Sequence, residues 1–245
     1  GSYTINNNVT LNATVFDGEL DNLTAHLLGY KAEEIDPDEE DWGDGLVLLM
    51  HFNNDSSVGE NSSYVYDWSG FSNTGNCSGT SCPSFGDSKG NFKGAFQFDG
   101  SNDYIEIRQS KYLNITNEIT ISAWVKTGTV GGQIVTFANT TDSDPFLVAG
   151  MAGGGVPFTL IRNDASSAIS VIGSSNFADN TWHNITVIFD GSDYYVYADV
   201  SSEGTPQSAL GGSYTLDNMT ISGLRSGSTT PTDFVTGRIK GVRVY

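Results

Sequence analysis

The shortage that most restricts this sequence is a shortage of positive charge. Its 245 residues contain 11 Lys and Arg against 29 Asp and Glu, which gives a formal net charge of −18 at pH 7. So few cations cannot neutralise a run of phosphates, and this excludes nucleic acid as a partner. Anionic membrane surfaces are disfavoured for the same reason. Metal cations, sugars and other proteins remain as partner classes.

Long apolar runs, cysteine and histidine are also scarce. The sequence has no run of about 18 apolar residues that could span a membrane. Two Cys and three scattered His are too few for a zinc site built on paired ligands. Charged residues make up only 16% of the chain while Gly alone contributes 29 residues, which is typical of many short strands joined by tight turns. We therefore expect one all-β domain without long helices.

The first 44 residues are predicted to form an extension that precedes this domain. Apolar residues alternate with Asn and Thr over residues 3–15, which predicts a long strand. An acidic linker with Pro37 at its centre follows at residues 31–44. The apolar face of the strand must be buried either on the chain's own domain or on a neighbouring subunit, where strand exchange would build a head-to-tail polymer. That face consists of Ile5, Val9, Leu11 and Val15.

The main domain is predicted to cover residues 45–245, and it begins with an apolar run at 46–52 that is interpreted as a central strand. Asp99-Gly100 and Asp190-Gly191 are interpreted as hairpin turns. Further predicted strands are residues 95–98, 104–107, 119–126, 133–137, 158–161, 183–189, 194–200 and 238–245. This density of short strands predicts a sandwich of two antiparallel sheets.

Seven blocks of sequence follow one another in the order familiar from laminin G-like domains. They are LVLLMHFN (46–53), DWSG (67–70), GAFQFDGSNDYIEI (94–107), ITISAWVKTG (119–128), TWHNITVIFDGS (181–192), YVYADV (195–200) and GRIKGVRVY (237–245). Each block is weak alone, but together they extend over the whole predicted domain. The domain therefore resembles the laminin G-like, concanavalin A-like jelly rolls. The resemblance implies a two-sheet antiparallel jelly-roll sandwich, here with an N-terminal strand extension.

Calcium is the cofactor that this resemblance implies, because laminin G-like domains often hold one and hard cations take oxygen ligands. Its expected ligands are Asp67, Asp99 and Asp103. Lys240 and Gly241 stand where the family often carries acidic residues, and a lysine beside a bound cation would oppose binding. Turn aspartates without a metal are the alternative.

No catalytic residue is predicted. The acidic string at 34–39 superficially resembles the Glu-x-Asp-x-x-Glu strand of glycoside hydrolases with this jelly roll, but Pro37 interrupts any strand ladder there. The sequence has no Gly-x-Ser-x-Gly nucleophile motif, and no acid–base partner motif adjoins His26, His51 or His183. The glycine-rich residues 149–155 lack the Lys and Ser/Thr of a phosphate loop and are interpreted as a flexible connection.

Two features predict an extracellular location. Cys77 and Cys82 are spaced to close a small loop, which predicts a disulfide in an oxidising compartment. Half of the twenty asparagines have Ser or Thr two places later, the acceptor motif for N-linked glycans, although a composition rich in Asn and Thr is the alternative explanation. These are Asn8, Asn12, Asn22, Asn54, Asn61, Asn76, Asn114, Asn139, Asn184 and Asn218. We expect the surface of a prokaryote, archaeal rather than bacterial, and a signal peptide that was removed or omitted.

The function expected from these features is a secreted, non-catalytic structural or adhesive role at the cell surface. Its partners would be the chain itself, other surface proteins or glycans. A glycan-binding module is the alternative, with Tyr64, Tyr66 and Trp68 as the dense aromatic group. Trp124 and Trp182 are interpreted as core anchors rather than sugar platforms. An accessory domain of a secreted carbohydrate-active enzyme is the third alternative.

Overall fold

Two antiparallel β-sheets form the domain in the computed structural model. The structure describes residues 45–86, 94–108, 118–141, 146–224, 227 and 230–245. The predicted N-terminal strand with Ile5, Val9, Leu11 and Val15 lies outside these ranges, as do the acidic linker and its string at 34–39. Within the ranges, no helix has the length and apolar character needed to cross a membrane.

Sixteen strands and two short 3-10 helices, Ser56–Val58 and Gly79–Ser81, make up the described regular structure. The strands are β1 (Leu48–Met50), β2 (Tyr64–Val65), β3 (Gly75–Asn76), β4 (Ser84–Gly86), β5 (Ala95–Asp99), β6 (Ile105–Arg108), β7 (Ile119–Lys126), β8 (Gln133–Ala138), β9 (Phe146–Met151), β10 (Pro157–Arg162), β11 (Ala168–Ile172), β12 (Trp182–Phe189), β13 (Asp193–Ala198), β14 (Ser201–Ser208), β15 (Asn218–Ile221) and β16 (Thr236–Val244).

The strands divide equally between two sheets, which we call sheet A and sheet B. Sheet A has the order β14-β13-β12-β7-β16-β5-β4, with β1 paired to β16, and sheet B has the order β11-β10-β9-β8-β15-β6-β3-β2. Neighbouring strands are antiparallel throughout both sheets. This confirms the predicted two-sheet jelly-roll sandwich.

The hydrophobic core lies between the sheets because the strands of sheet A alternate between core-facing and outward-facing residues. In β7 the residues Ile121, Ala123 and Val125 are buried, whereas Ser122 and Trp124 between them are half-buried. β9 of sheet B is buried along its whole length. The largest fully buried side chains are Phe52, Phe96, Phe98, Phe137 and Tyr194. The outward residues of sheet A therefore form a second surface, separate from the core.

Three local predictions are wrong. The run at 46–52 is not a central strand, because only Leu48–Met50 is in the ladder and β1 lies off the main strand path. Asp99-Gly100 is not a hairpin turn, because β5 belongs to sheet A and β6 to sheet B. Residues 149–155 are not simply a flexible connection, since the first part of the run belongs to β9. Gly150 in this part of β9 packs closely, since a Cβ added to it would lie 2.7 Å from the Phe158 ring.

Candidate binding face

The outward-facing residues of sheet A lie in rows that cross strands β16, β7, β12 and β13, and we call this surface the outer face. Antiparallel register aligns the side chains of each row. The first row is Arg238, Lys126 and Trp182; the second is Lys240, Trp124 and Asn184; the third is Arg243, Ser122, Thr186 and Tyr197; the fourth contains Thr120, Ile188 and Tyr195. Cations thus line one side of the face and aromatic rings occupy its middle and far side.

A β-bulge in β16 brings two of these cations to the same side. Lys240 and Arg243 are three residues apart, so a regular strand would direct them to opposite faces. Gly241 adopts φ +57°, and the register shifts between Lys240 and Arg243. The extra residue resets the alternation, because Ile239, Val242 and Val244 all stay in the core. Both cations therefore lie on the outward side of sheet A, where Arg243 is half-buried and Lys240 is only 9% exposed.

Trp124 and Trp182 lie on this outer face, so their interpretation as core anchors is wrong. Both are half-buried. The Lys240 Nζ lies 5.4 Å from the centroid of the Trp182 ring, which is a cation–π contact. A Cβ on Gly241 would lie 3.5 Å from Trp124 Cδ1 and 3.9 Å from Arg243 Nη1, so the indole and the guanidinium approach each other over the bulge.

Three polar side chains hold the centre of the outer face in one arrangement. Asn184 Nδ2 donates to Ser122 Oγ at 3.0 Å, and Thr186 Oγ1 donates to Asn184 Oδ1 at 2.8 Å. The Asn184–Ser122 hydrogen bond links β12 to β7, and the network joins the second row, which contains Trp124, to the third. Fixed amide and hydroxyl groups beside aromatic rings are the combination that small-molecule and sugar sites use for orientation and stacking.

Beside β1 the outer face continues into a second group of rings, His51, Tyr66 and Trp68, which we call the aromatic corner. His51 stacks on Trp68 with centroids 5.2 Å apart, and Tyr66 meets Trp68 edge-on at 5.2 Å. Burial and the charge of Arg243 lower the pKa of His51, so the imidazole is neutral near pH 7. Because Arg243 pairs with Leu49 across the ladder, the corner adjoins the cationic side of the face.

Two buried carboxylates position the aromatic corner. Asp67 is only 2% exposed, and it accepts hydrogen bonds from the backbone N–H groups of Leu49, Ser69 and Asn73 at 2.7–3.0 Å and from Ser69 Oγ at 2.8 Å. Glu60 is also buried and accepts from the Tyr66 N–H at 3.1 Å. These bonds fix the loop that carries Tyr66 and Trp68 against β1.

Of the three aromatic residues predicted to bind glycans, the structure brings two together. Tyr66 and Trp68 are in contact, but Tyr64 lies on β2 in sheet B, paired with Asn76. The other members of the surface were not predicted from the sequence, because no run of sequence joins His51, Trp124 and Trp182. Their outward positions follow only from strand register and from the bulge.

The three predicted calcium ligands do not converge. Every acceptor position of Asp67 is already used by the four protein donors above, so this carboxylate does not fit a cation. Within the described part of the chain, no group of three or more His, Cys, Asp or Glu side chains is placed to hold a metal ion. Asp99 and Asp103 are neighbours, since Asp103 Oδ2 accepts from the Asp99 N–H at 2.9 Å. Burial, followed by the charge of Asp99, raises the pKa of Asp103.

The predicted disulfide between Cys77 and Cys82 is present, with Cα atoms 5.1 Å apart.

The predicted glycosylation motifs lie in different environments. Asn54, Asn61 and Asn76 are exposed. Asn139 and Asn218 are buried, and neither fits an attached glycan; Asn139 Nδ2 also donates to the Thr215 carbonyl. Asn184 is half-buried in the polar network described above, and Asn8, Asn12, Asn22 and Asn114 lie outside the described residues.

A shallow, polar groove on sheet B is the competing candidate site. It has a volume of about 360 Å³ and is lined by Ser72, Thr74, Asn76, Cys77, Ser78, Tyr104 and Glu106. Tyr104 is its one aromatic side chain, and the exposed glycosylation motif at Asn76 lies in its wall. The groove thus offers fewer stacking surfaces than the outer face of sheet A.

His183 has partners that the sequence analysis did not find. Its Nδ1 lies 2.6 Å from Asp199 Oδ2, and its Nε2 lies 3.0 Å from Asp179 Oδ1. Thr181 Oγ1 lies 2.8 Å from His183 Nε2 and 2.7 Å from Asp179 Oδ1, within hydrogen-bonding distance of both. Because both ring nitrogens face carboxylates, this environment favours the protonated imidazole.

The histidine environments predict how stability depends on pH. Burial opposes the charged form of His183, but hydrogen bonds to Asp199 and Asp179 and their charges outweigh burial and raise its pKa. A raised folded-state pKa gives stability that is complete below the unfolded value of about 6.5 and is lost as pH rises through the folded value. The thermal midpoint of unfolding of the wild type should therefore exceed that of His183→Gln below pH 6.5. The difference between the two midpoints should shrink as pH rises above 6.5.

The matched control for that measurement is His51→Gln, for which the sign is opposite. Burial lowers the pKa of His51, so its contribution is complete above about pH 6.5 and is lost as pH falls. Hydrogen bonds from Thr181 and His183 lower the pKa of Asp179 to about 2, which keeps the Asp179 carboxylate charged beside His183 well below pH 4. Parallel pH profiles for both histidine variants would contradict these assignments.

Comparisons with known structures agree with this architecture. The binding domain of Paraclostridial Mosquitocidal Protein 1 is 16% identical with a TM-score of 0.61, over 82% of this chain and 49% of that one. The receptor binding domain of botulinum neurotoxin mosaic serotype C/D is 12% identical with a TM-score of 0.59, over 82% and 47%. Domains LG4-5 of the mouse laminin alpha1 chain are 15% identical with a TM-score of 0.52, over 69% and 44%. The chain thus spans about half or less of each structure.

These structural likenesses, at such low identity, establish the fold alone. No curated protein matches the sequence significantly. The laminin G model of the concanavalin A-like lectin/glucanase superfamily matches residues 99–245, which is more than half of the chain and includes the strands that build the outer face, β7, β12, β13 and β16. By its sequence and its fold, the chain belongs to the laminin G-type concanavalin A-like lectin/glucanase superfamily.

Proposed function

We propose that the chain is a non-catalytic binding module that works at a cell surface by holding a glycan on the outer face of sheet A. The observation that carries the proposal is the combination on that face of Trp124, Trp182 and the aromatic corner with fixed polar groups and a row of cations. Aromatic rings stack on sugar rings, while the Ser122–Asn184–Thr186 network presents amide and hydroxyl groups for orientation.

The cations point to the class of glycan. Lys126, Arg238, Lys240 and Arg243 all lie on one side of the face, although the whole chain contains only 11 Lys and Arg and carries a net charge of −18. A guanidinium pairs with carboxylate or sulfate in a bidentate geometry. We therefore expect sugars that carry such groups to bind more tightly than their neutral counterparts. The affinity for these charged sugars should fall at high salt, because salt screens the charges.

A binding panel tests the proposal. The wild type is titrated with immobilised neutral, uronic-acid and sulfated polysaccharides, and the glycan with the strongest response is then used with variants. Trp182→Ala should weaken binding about tenfold, because loss of an aromatic anchor costs roughly 1–2 kcal/mol. The control is Tyr104→Ala in the groove of sheet B, which should bind as the wild type does. Equal effects of the two variants, or no binding to any glycan, would refute the assignment.

Two features support the non-catalytic part of the proposal. His183 Nε2 contacts the Asp179 carboxylate as well as the Thr181 hydroxyl, its Nδ1 contacts Asp199, and the buried Glu60 and Asp67 serve as hydrogen-bond acceptors for backbone N–H groups. These groups therefore have structural tasks. Assembly into a filament through the strand at residues 3–15 remains a second proposal, and calcium binding and extracellular location remain predictions that accompany it.

A further inference from the structure

We propose that Asn61 and Asn76 carry N-linked glycans, and that these glycans cover the edge of sheet B at β2. The motif asparagines that are exposed within the described ranges are Asn54, Asn61 and Asn76. Two of them, Asn61 and Asn76, lie together on one surface of sheet B. The inference does not depend on the binding of a glycan by the outer face of sheet A.

The two asparagines stand on either side of Tyr64 in one row of sheet B. Tyr64 pairs with Asn76 across β2 and β3, and Asn61 forms an antiparallel bridge with Tyr64 on the other side. Directly opposed residues project to the same face of a sheet with Cβ atoms about 5 Å apart, so the two asparagines lie about 10 Å apart. Val65 and Gly75, the next residues of β2 and β3, are buried, so the row faces away from the core.

Tyr64 gives both positions a surface against which an attached sugar can pack. Its side chain is half-buried and is flanked in the row by two exposed asparagines. Aromatic side chains pack against the apolar faces of sugar rings while their polar end stays in water. A glycan on Asn61 or on Asn76 begins one row position away from this ring, so its first sugar lies within reach of Tyr64.

Asn61 and Asn139 have the same local geometry but differ in their access to solvent. Asn61 Oδ1 accepts from the N–H and the hydroxyl of Ser63 at 2.8 Å, and Asn139 Oδ1 accepts the same two bonds from Thr141 at 2.8 Å. Asn139 is only 7% exposed, and its amide nitrogen donates to a backbone carbonyl at 2.8 Å. The amide nitrogen of the exposed Asn61 makes a longer bond of 3.2 Å. A folded chain accommodates a glycan only where the amide nitrogen reaches solvent, which selects Asn61 and excludes Asn139.

Attachment is a group transfer that needs an activated sugar. The co-reactant is an oligosaccharide joined through its anomeric carbon to a lipid phosphate. The asparagine amide nitrogen forms a bond to that carbon, the bond from the carbon to the phosphate oxygen breaks, and the lipid phosphate leaves with the bonding pair. The amide gives up one proton to solvent, and nothing is oxidised or reduced. The Cys77–Cys82 disulfide next to Asn76 fits the extracytoplasmic compartment in which such a transfer takes place.

Glycans at these positions shield an edge that another chain could extend. Among the described strands, β2 is the last of sheet B on this side, and an exposed edge strand is a template for pairing. The opposite edge is closed at the end of β11, because a Cβ on Gly204 of β14 would overlap the Ile172 carbonyl, and Glu203 accepts from the Ser174 N–H at 2.9 Å. The glycans also cover the groove that Asn76 lines.

Glycopeptide mapping by mass spectrometry, on protein purified from its source cells, tests the proposed sites. Peptides that contain Asn61 or Asn76 should carry the mass of an oligosaccharide. Peptides that contain the buried Asn139 or Asn218 should have the mass of the bare polypeptide. Bare peptides at Asn61 and Asn76, or equal occupancy at Asn139, would overturn the inference.

Variants that remove only the motif hydroxyl test the shielding role, because they leave each asparagine in place. Ser63→Ala and Ser78→Ala, returned to the same cells, should each remove one oligosaccharide from the protein. The matched control, Thr141→Ala in the motif of the buried Asn139, should remove none. Under agitation the double variant should form thioflavin T-binding aggregates severalfold faster than the wild type, because its β2 edge is bare. Aggregation of the double variant at the wild-type rate would contradict the shielding role.

Discussion

Asp67→Ala should destabilise the domain by about 3–5 kcal/mol, because it leaves the backbone N–H groups of Leu49, Ser69 and Asn73 without their acceptor in a buried position. This is a large fraction of the 5–15 kcal/mol that holds a typical domain together. The loss of stability should be accompanied by a change in the fluorescence of Trp68, because the backbone N–H of Trp68 donates to the Leu49 carbonyl at 2.8 Å. Denaturant unfolding followed by tryptophan fluorescence measures both effects.

The matched control for Asp67 is Asp217→Ala. Asp217 is exposed and also accepts from a backbone N–H, that of Thr140, and from its hydroxyl at 2.8 Å. The Asp217→Ala substitution should lower the free energy of unfolding by at most about 1 kcal/mol.

Chelation separates a hydrogen-bonding role of Asp67 from a metal-binding role. A loss of stability on addition of EDTA comparable to that of Asp67→Ala would show that Asp67 holds calcium and would contradict its role as a hydrogen-bond acceptor for the loop.

Deletion of residues 1–16 should abolish self-association while leaving the jelly roll folded, if the strand at 3–15 is donated to a neighbouring subunit. A strand of this length contributes a row of backbone hydrogen bonds and buries Ile5, Val9, Leu11 and Val15, which is sufficient to hold subunits together. Light scattering of the full and shortened chains gives the masses directly, and circular dichroism reports whether the sheets persist.

The control for the deletion replaces only the apolar face of the strand. Val9→Asn and Leu11→Asn together keep the chain length and the backbone hydrogen-bonding capacity but remove buried apolar area. They should weaken assembly in the same direction as the deletion. A full chain that is monomeric at all concentrations, or a shortened chain that unfolds, would show that the strand belongs to its own domain.

The sheets could be predicted from the sequence because period-2 alternation reports directly on strands that are buried on one side. The predicted run at 119–126 coincides with β7, and Asp190-Gly191 does join β12 to β13, with Asp190 Oδ1 accepting from Ser192 and Asp193. β14, with the sequence SSEGTPQS, was not predicted. It is an edge strand of polar residues with Gly204 and Pro206, so it lacks the apolar alternation by which the other strands were predicted.

The binding face could not be predicted because it depends on long-range register. Trp124 and Lys240 are far apart in sequence and become neighbours only when β7 pairs with β16. Arg243 would have been assigned to the core by simple alternation, and only the bulge at Gly241 directs it outward. Likewise, the partners of His183 come from before and after β12, and no spacing rule joins Asp199 to that ring.

Backbone chemical-shift mapping of the glycan-bound protein tests the central claim most directly. The ¹⁵N-labelled full chain is titrated with the glycan that binds best in the panel, and amide shifts are followed in both sheets. Binding on the outer face predicts progressive shifts at outward positions of β7, β12 and β16, including Trp124, Asn184 and Lys240, with the indole N–H signals of Trp124 and Trp182. Shifts confined to β3 and β6 around Tyr104 and Glu106 would place the ligand in the groove of sheet B and contradict the claim.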